Sequence, residues 1–388
     1  MPKFDQLLCR RSPHLLCYWR GREYVIENYA MGVRALAPPI TANVLGFFDD
    51  WRPIGSLLAV NPPEARATLR LIVTRLVRHS LLQRSDRGVP AREQLMDAWT
   101  PWNPSAGFFH ATTRDTNFFD MNTQVRRLRA KSRTEPMPDP IKRYDGAATY
   151  ALPEPTAGGE FPSVLDARRT WRQFSAAAID LEAFATLLGL TAGVRRWAHV
   201  RGEGKVALKT SPSGGARHAN ELYVLVRRIK GLPAGLYHYV ADAHVLELID
   251  GRASSRAISK YLPKQPWYEP AAAVVFFAAC FSRELWRYAY PRAYRAVLIE
   301  AGHLCQTFCL TATWLGLAPF CTMALADSAI DQVLKLDGIS ESTLYAAGVG
   351  ARPADSDPPR RLKGAPLSAL TRAEVRRFPG RIAPSKRR

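Results

Sequence analysis

From Ala271 to Phe281 the chain runs Ala-Ala-Ala-Val-Val-Phe-Phe-Ala-Ala-Cys-Phe, with no charged residue. A short apolar run of this kind, rich in Val and Phe, reads as a strand buried in a sheet. A second apolar stretch, Tyr294 to Leu315, is long enough for a buried helix of several turns. Leu181 to Leu190 reads as another helix, and Leu222 to Val226, Gly235 to Tyr239 and Leu344 to Val349 read as strands. Helices and strands therefore alternate around a central sheet, an α+β arrangement.

Upstream, Tyr24-Val25-Ile26 is a strand candidate, and Thr41 is placed to cap a helix through Val44, Leu45, Phe47 and Phe48. After Pro62-Pro63, Leu69, Ile72, Val73, Leu76 and Val77 mark one face of a longer helix, with a strand at Leu81-Leu82-Gln83. Helix, helix, long helix, strand is the winged-helix order. The long helix carries Arg66, Arg70, Arg75 and Arg78, which keeps a DNA-binding reading open. The expected division is a winged-helix-like domain over 1–98, an extended connector rich in Pro, Trp and charge over 99–160, an α+β domain over 161–352, and a basic tail over 353–388.

Fifty-four Lys and Arg against 34 Asp and Glu give a net charge of +20 over 388 residues, which suits an acidic or phosphorylated ligand. Much of the excess lies in the tail and in the cluster Arg126 to Arg133, where solvated charge is the plain explanation. The N-terminus lacks a signal-peptide layout, and the apolar stretch from Ala301 to Leu325 is broken by Gln306, threonines and Pro319, so neither export nor a membrane span is expected. The six cysteines contain no Cys-x-x-Cys pair; Cys305 and Cys309 lie four apart on one helix without a second pair, so no metal is expected and the cytoplasm suits free thiols.

Four segments carry chemistry. Arg168-Arg169-Thr170-Trp171-Arg172 puts three guanidinium forks and a hydroxyl together, as a phosphate site needs. Lys209-Thr210-Ser211-Pro212-Ser213-Gly214-Gly215-Ala216-Arg217-His218 places adjacent glycines where backbone N–H groups can approach a flat or anionic ligand; a tight surface turn explains it equally well. Glu300, His303 and Gln306 recur every three residues on the apolar helix, facing a ligand, another domain or a second subunit, or forming a satisfied Glu–His pair. Gly348-Val349-Gly350-Ala351-Arg352 ends a strand with a cation, and Gly202-Glu203-Gly204 lacks the third glycine of a dinucleotide turn.

In this order the segments resemble the nitroreductase-like flavoenzymes, in particular the SagB-type dehydrogenase branch. Ala293-Tyr294-Arg295, Glu300-Ala301-Gly302-His303 and Trp314-Leu315-Gly316-Leu317 add to the resemblance, which covers about Phe161 to Arg352. It implies a mainly antiparallel sheet flanked by helices, a domain-swapped homodimer, and one FMN per site at the interface. By position Arg168, Arg169, Thr170 and Arg172 would hold the phosphate and one flavin edge. Pro212, Ser213, Gly214 and Gly215 would flank the ring, and Glu300 and His303 would belong to the same site. Phe320, Cys321 and Thr322 would lie near the reactive nitrogen, with Gly350 and Arg352 arriving from the last strand. In this branch the preceding winged-helix-like unit is associated with peptides rather than DNA.

The expected function is FMN-dependent oxidation of a peptide-derived azoline or a related small metabolite in natural-product biosynthesis, with a cyclodehydratase as a partner. Lys209 would take the proton. Branch members carry Lys-Tyr there, whereas this chain has Lys209-Thr210, and a threonine cannot act as a phenol does. A general NAD(P)H-dependent nitro or quinone reductase, and a winged-helix regulator with a degenerate flavin domain, are the alternatives.

Overall fold

The computed structural model describes residues 4–135, 137–139, 142, 152–153, 158–253 and 256–354. The basic tail beyond residue 354 therefore lies outside the described residues.

The N-terminal part contains β1 (Leu8–Arg11), β2 (Leu15–Arg20), β3 (Glu23–Asn28), β4 (Val33–Leu36), α1 (Thr41–Phe47), β5 (Arg52–Pro53), α2 (Ile54–Ala59), α3 (Arg66–Arg78) and β6 (Leu82–Arg84). Strands β5-β1-β6 form one antiparallel sheet and β2-β3-β4 another. The helix, helix, long helix, strand order is present, and Ile26, Leu45, Phe48, Leu57, Val73 and Leu82 meet in its core. Thr41 does not cap α1: it is the buried first residue of the helix, and Ile40 takes the cap position without a side-chain bond. On α3, Arg66 donates to the Leu58 carbonyl and Arg70 pairs with Asp5 at 2.6 Å, so part of the basic face is committed within the chain.

Residues 99–160 are not simply extended. After α4 (Ala91–Asp97) come α5 (Ser105–Thr113) and α6 (Met121–Thr134). Helix α5 buries Ala106, Gly107 and His110 while Phe109 is exposed, so no apolar stripe announces it. Helix α6 carries the Arg126–Arg133 cluster with no buried residue, and Asp120 caps it by accepting from the Thr123 N–H. The aromatic residues of this region dock: Trp99 and Trp102 pack with Phe281 and Tyr294, and their indole N–H groups donate to the Ile339 and Tyr288 carbonyls.

The remainder holds α7 (Glu160–Ala167), α8 (Leu181–Ala192), β7 (Arg196–Val200), β8 (Gly204–Leu208), β9 (Asn220–Val226), β10 (Gly235–Val240), β11 (Val245–Asp250), β12 (Ala273–Cys280), α9 (Phe281–Arg287), α10 (Tyr294–Trp314), β13 (Ala318–Thr322), α11 (Asp327–Leu334) and β14 (Glu341–Gly350). Six strands pair antiparallel in the order β11-β10-β9-β12-β14-β13. Successive β12 side chains point to opposite faces. Ala273, Val275 and Phe277 join the core under α8 and α10, whereas Val274, Phe276 and Ala278 join the core that includes Ile330 and Leu334 of α11. Both faces of β12 are thus covered, which is why its sequence is uniformly apolar. Among the described residues no helix is long and apolar enough to cross a membrane.

Candidate functional site

The arginine segment runs along the open edge of this sheet. The Trp171 N–H donates to the Pro319 carbonyl and the Ser175 N–H to Ala351, which lays residues 168–175 across the ends of β13 and β14. Arg169 stacks 3.8 Å from the centre of the Trp171 ring, and Arg352 sits over the same ring at 5.5 Å. Thr170 is half-buried beside them. Among the described residues Arg168, Arg169 and Arg172 form no ion pair. Three cations without a carboxylate suit an anionic group. Arg352 is different: it donates to the Leu317 and Thr313 carbonyls at 3.0 Å each, closing the C-terminal end of α10. Burial, and then the charge of Arg169, lower its pKa.

The side chains predicted from β13 are mostly spent on packing. Phe320 is buried and stacks on Tyr268, and Thr322 donates to the Gln265 amide oxygen at 2.7 Å. Cys321 faces the other way, toward Cys305 and Cys309 on α10. What β13 offers a ligand is therefore the backbone of an edge strand. Gly350 has a packing cause, since a Cβ there would lie 2.6 Å from the Phe174 ring.

The glycine loop packs against the middle of α10. His303 Nδ1 is 3.2 Å from the Pro212 carbonyl, and the Ser211 and Thr307 hydroxyls are 2.7 Å apart. Ser213 Oγ accepts from the His218 N–H, while the Gly214 and Gly215 N–H groups, in the first turn of a short 3-10 segment, meet no acceptor among the described residues. Below the loop stands α9. A Cβ on Gly214 would lie 2.6 Å from Glu284 Oε1, and one on Gly215, whose φ is +55°, would meet Arg287 and Tyr288. The two glycines are thus demanded by the protein itself, and their donors are free in addition. Glu284 is buried with Oε1 unpartnered, and burial, helped by Glu300 and opposed by Arg217, raises its pKa to about 7. Glu300 is buried against β9 and accepts from the Asn220 N–H at 2.9 Å and from its amide at 3.1 Å, an internal tie rather than an open ligand contact.

Lys209 lines a cleft of about 350 Å³ with His218, Glu221, His238 and Arg283. Burial lowers its pKa, against the pull of Glu221 and Glu300 in the opposite direction. Glu221 pairs with Arg283 and with His238 at 3.2 Å, and these partners outweigh burial and hold its pKa below the ordinary value. Sequence reasoning gave Glu221, His238 and Arg283 no role, because they arrive from β9, β10 and α9 and share a face only once the sheet is formed. Thr210 does not line the cleft, and its hydroxyl donates to the Leu190 carbonyl at 2.5 Å. The Gly202 and Gly204 turn is the tip of the β7–β8 hairpin, and Glu203 reaches back to Arg217 and Arg287.

In one chain the predicted residues thus form two groups. Their nearest ties on α10 are Thr307, which meets Ser211, and Thr313, which meets Arg352; these are six positions apart, about 9 Å at helical rise.

The sequence model of the nitroreductase family matches residues 165–351, the part that holds the helix-flanked antiparallel sheet and its cationic edge. A protein of Methanocaldococcus jannaschii named as a candidate nitroreductase, MJ1384, is 31% identical over 189 residues, which cover 49% of this chain and 89% of that protein. The chain belongs to the nitroreductase family. The trifolitoxin-processing protein TfxB of Rhizobium leguminosarum bv. trifolii is 32% identical over 173 residues, 43% of this chain. That match spans 46%, about half, of TfxB. Among solved structures, the E. coli microcin synthetase McbBCD complex with truncated pro-MccB17 bound aligns at TM-score 0.48 and 18% identity, over 69% of this chain and 100% of that one.

Proposed function

We propose that the protein is an FMN-dependent dehydrogenase of the SagB type, oxidising a peptide-derived, azoline-like substrate or a related small metabolite. The observation that carries this reading is the donor set among the described residues: arginines 168, 169 and 172 without ion pairs, and N–H groups on Gly214 and Gly215 without acceptors. These residues fit a phosphate and the polar edge of a flat ring. When bound, FMN supplies a two-electron acceptor for hydride. Kinship to a protein named for trifolitoxin processing supports a peptide substrate, and a cyclodehydratase is the partner class that would make an azoline.

Lys209 is the base in this reading. Burial favours its neutral form, which can take a proton from the substrate carbon, and Glu221 with Arg283 holds the surrounding charge in place. Thr210 contributes no acid or base, so proton removal rests on Lys209. The separation of the two groups along α10 supports a homodimer in which the glycine loop of one protomer faces the arginine arm of its partner. The exposed Leu298 and Ile299 on α10 offer an apolar surface for that contact.

The test begins with the absorbance spectrum of the purified protein, which should show flavin at one per chain. An azoline-containing peptide should then bleach the flavin anaerobically without nicotinamide. Lys209→Met should keep the flavin and slow bleaching by about 100-fold or more. A colourless protein that takes up no FMN overturns the proposal, and bleaching by NAD(P)H alone shifts it to a general reductase.

A further inference from the structure

The thiols of Cys305, Cys309 and Cys321 converge, with all three Sγ atoms within 4.8 Å of one another. Cys305 and Cys309 are one turn apart on the buried face of α10, and Cys321 enters from β13. Tyr345 lies two residues before Ala347, the β14 partner of Cys321, and so shares that face of the sheet. All three cysteines are free, two are buried, and Cys321 is partly exposed and leaves a way in for an ion. In the proposed flavin site β13 would contribute its backbone rather than these sulfurs.

We propose that Cys305, Cys309 and Cys321 form a binding site for one zinc-class divalent ion, with the fourth position on the Tyr345 side open to a water or the phenol oxygen. Three sulfurs select a thiophilic ion over calcium or magnesium. A tetrahedral zinc site with bonds of about 2.3 Å spaces its sulfurs at about 3.8 Å, so closing onto an ion requires movements of about 1 Å. Binding turns the thiols into thiolates and releases their protons to solvent. Three thiolates and a divalent ion leave one net negative charge, and Arg168 lies close enough to act electrostatically on Cys309 and Cys321. The ion would staple the edge strand β13 to α10 directly behind the arginine arm. This site does not rest on the flavin reading.

Reduced protein, with and without FMN, is titrated with cobalt(II). The expected result is one cobalt per chain, with thiolate-type d–d absorption in the red, clear of flavin, that zinc(II) abolishes. Cys305→Ser and Cys309→Ser should each weaken binding by about 100-fold or more, beyond what outer-shell changes do, while Cys280→Ser leaves it unchanged. Because a buried serine could unfold the chain, mass spectrometry of alkylated wild-type protein provides the second readout: zinc should protect Cys321, the partly exposed thiol of the three, and leave Cys17 reactive. No cobalt bands in wild-type protein, bands that survive in the Cys305→Ser/Cys309→Ser double variant, or Cys321 alkylation indifferent to zinc would each overturn the site.

Discussion

Gly214 and Gly215 show how one residue type serves two demands. Their missing side chains let the loop settle on Glu284, Arg287 and Tyr288, and the same backbone leaves two N–H donors without an acceptor among the described residues. Gly215 also adopts a positive φ that other residues reach only with strain. Gly215→Ala should therefore destabilise the fold by about 1–3 kcal/mol, read as a lower urea midpoint, and should weaken flavin retention with it. A variant as stable as wild type would show that Arg287 and Tyr288 move aside freely. Glu284 explains the asymmetry between the two glycines: Gly214 meets a buried carboxyl oxygen with no partner, so a methyl there also presses apolar bulk onto a polar atom.

At the scale of elements, α5 is joined to the catalytic part by polar groups. His110 sits between the Tyr294 hydroxyl at 2.9 Å and the Gly338 carbonyl at 3.0 Å, while Arg114 pairs with buried Asp331 at 2.6 Å. Burial, reinforced by Arg114, lowers the His110 pKa to about 4. The neutral ring donates through Nε2 to Gly338 and accepts from the Tyr294 hydroxyl at Nδ1, and a proton on Nδ1 would break that second bond. The unfolded chain binds the proton near pH 6.5, so the stability stored here is present above that pH and is lost as pH falls toward 4. Urea midpoints should drop across that window, and His110→Gln should flatten the slope. An unchanged slope in the variant would mean that other groups titrate there. This helix escaped sequence reading because its buried face is Ala106, Gly107 and His110, too small and polar to form a stripe.

For the whole molecule the decisive matter is assembly. In a single chain the cation arm meets the C-terminal end of α10 while the glycine loop meets Ala296, His303 and Thr307 in its first half and middle, and exposed Leu298 and Ile299 lie on that same half. Ile299→Asp should yield a monomer by analytical ultracentrifugation and a protein depleted of flavin. A flavin-loaded monomer would show that one chain suffices.

The periods of the sequence determined the main elements. The unbroken apolar run fixed β12 as a strand covered on both faces, and the long stripe fixed α10, because burial demands such patterns locally. The order of the arginine, glycine-loop and Glu-Ala-Gly-His segments was also legible, and it pointed to the nitroreductase family. Only the tertiary structure decided what each side chain touches. It turned Glu300 and Arg352 to internal carbonyls and amides, gave Lys209 its company of Glu221, His238 and Arg283, and brought Cys321 to Cys305 and Cys309. Those partners come from elements far apart in the chain, and no local spacing encodes a contact that sheet pairing creates.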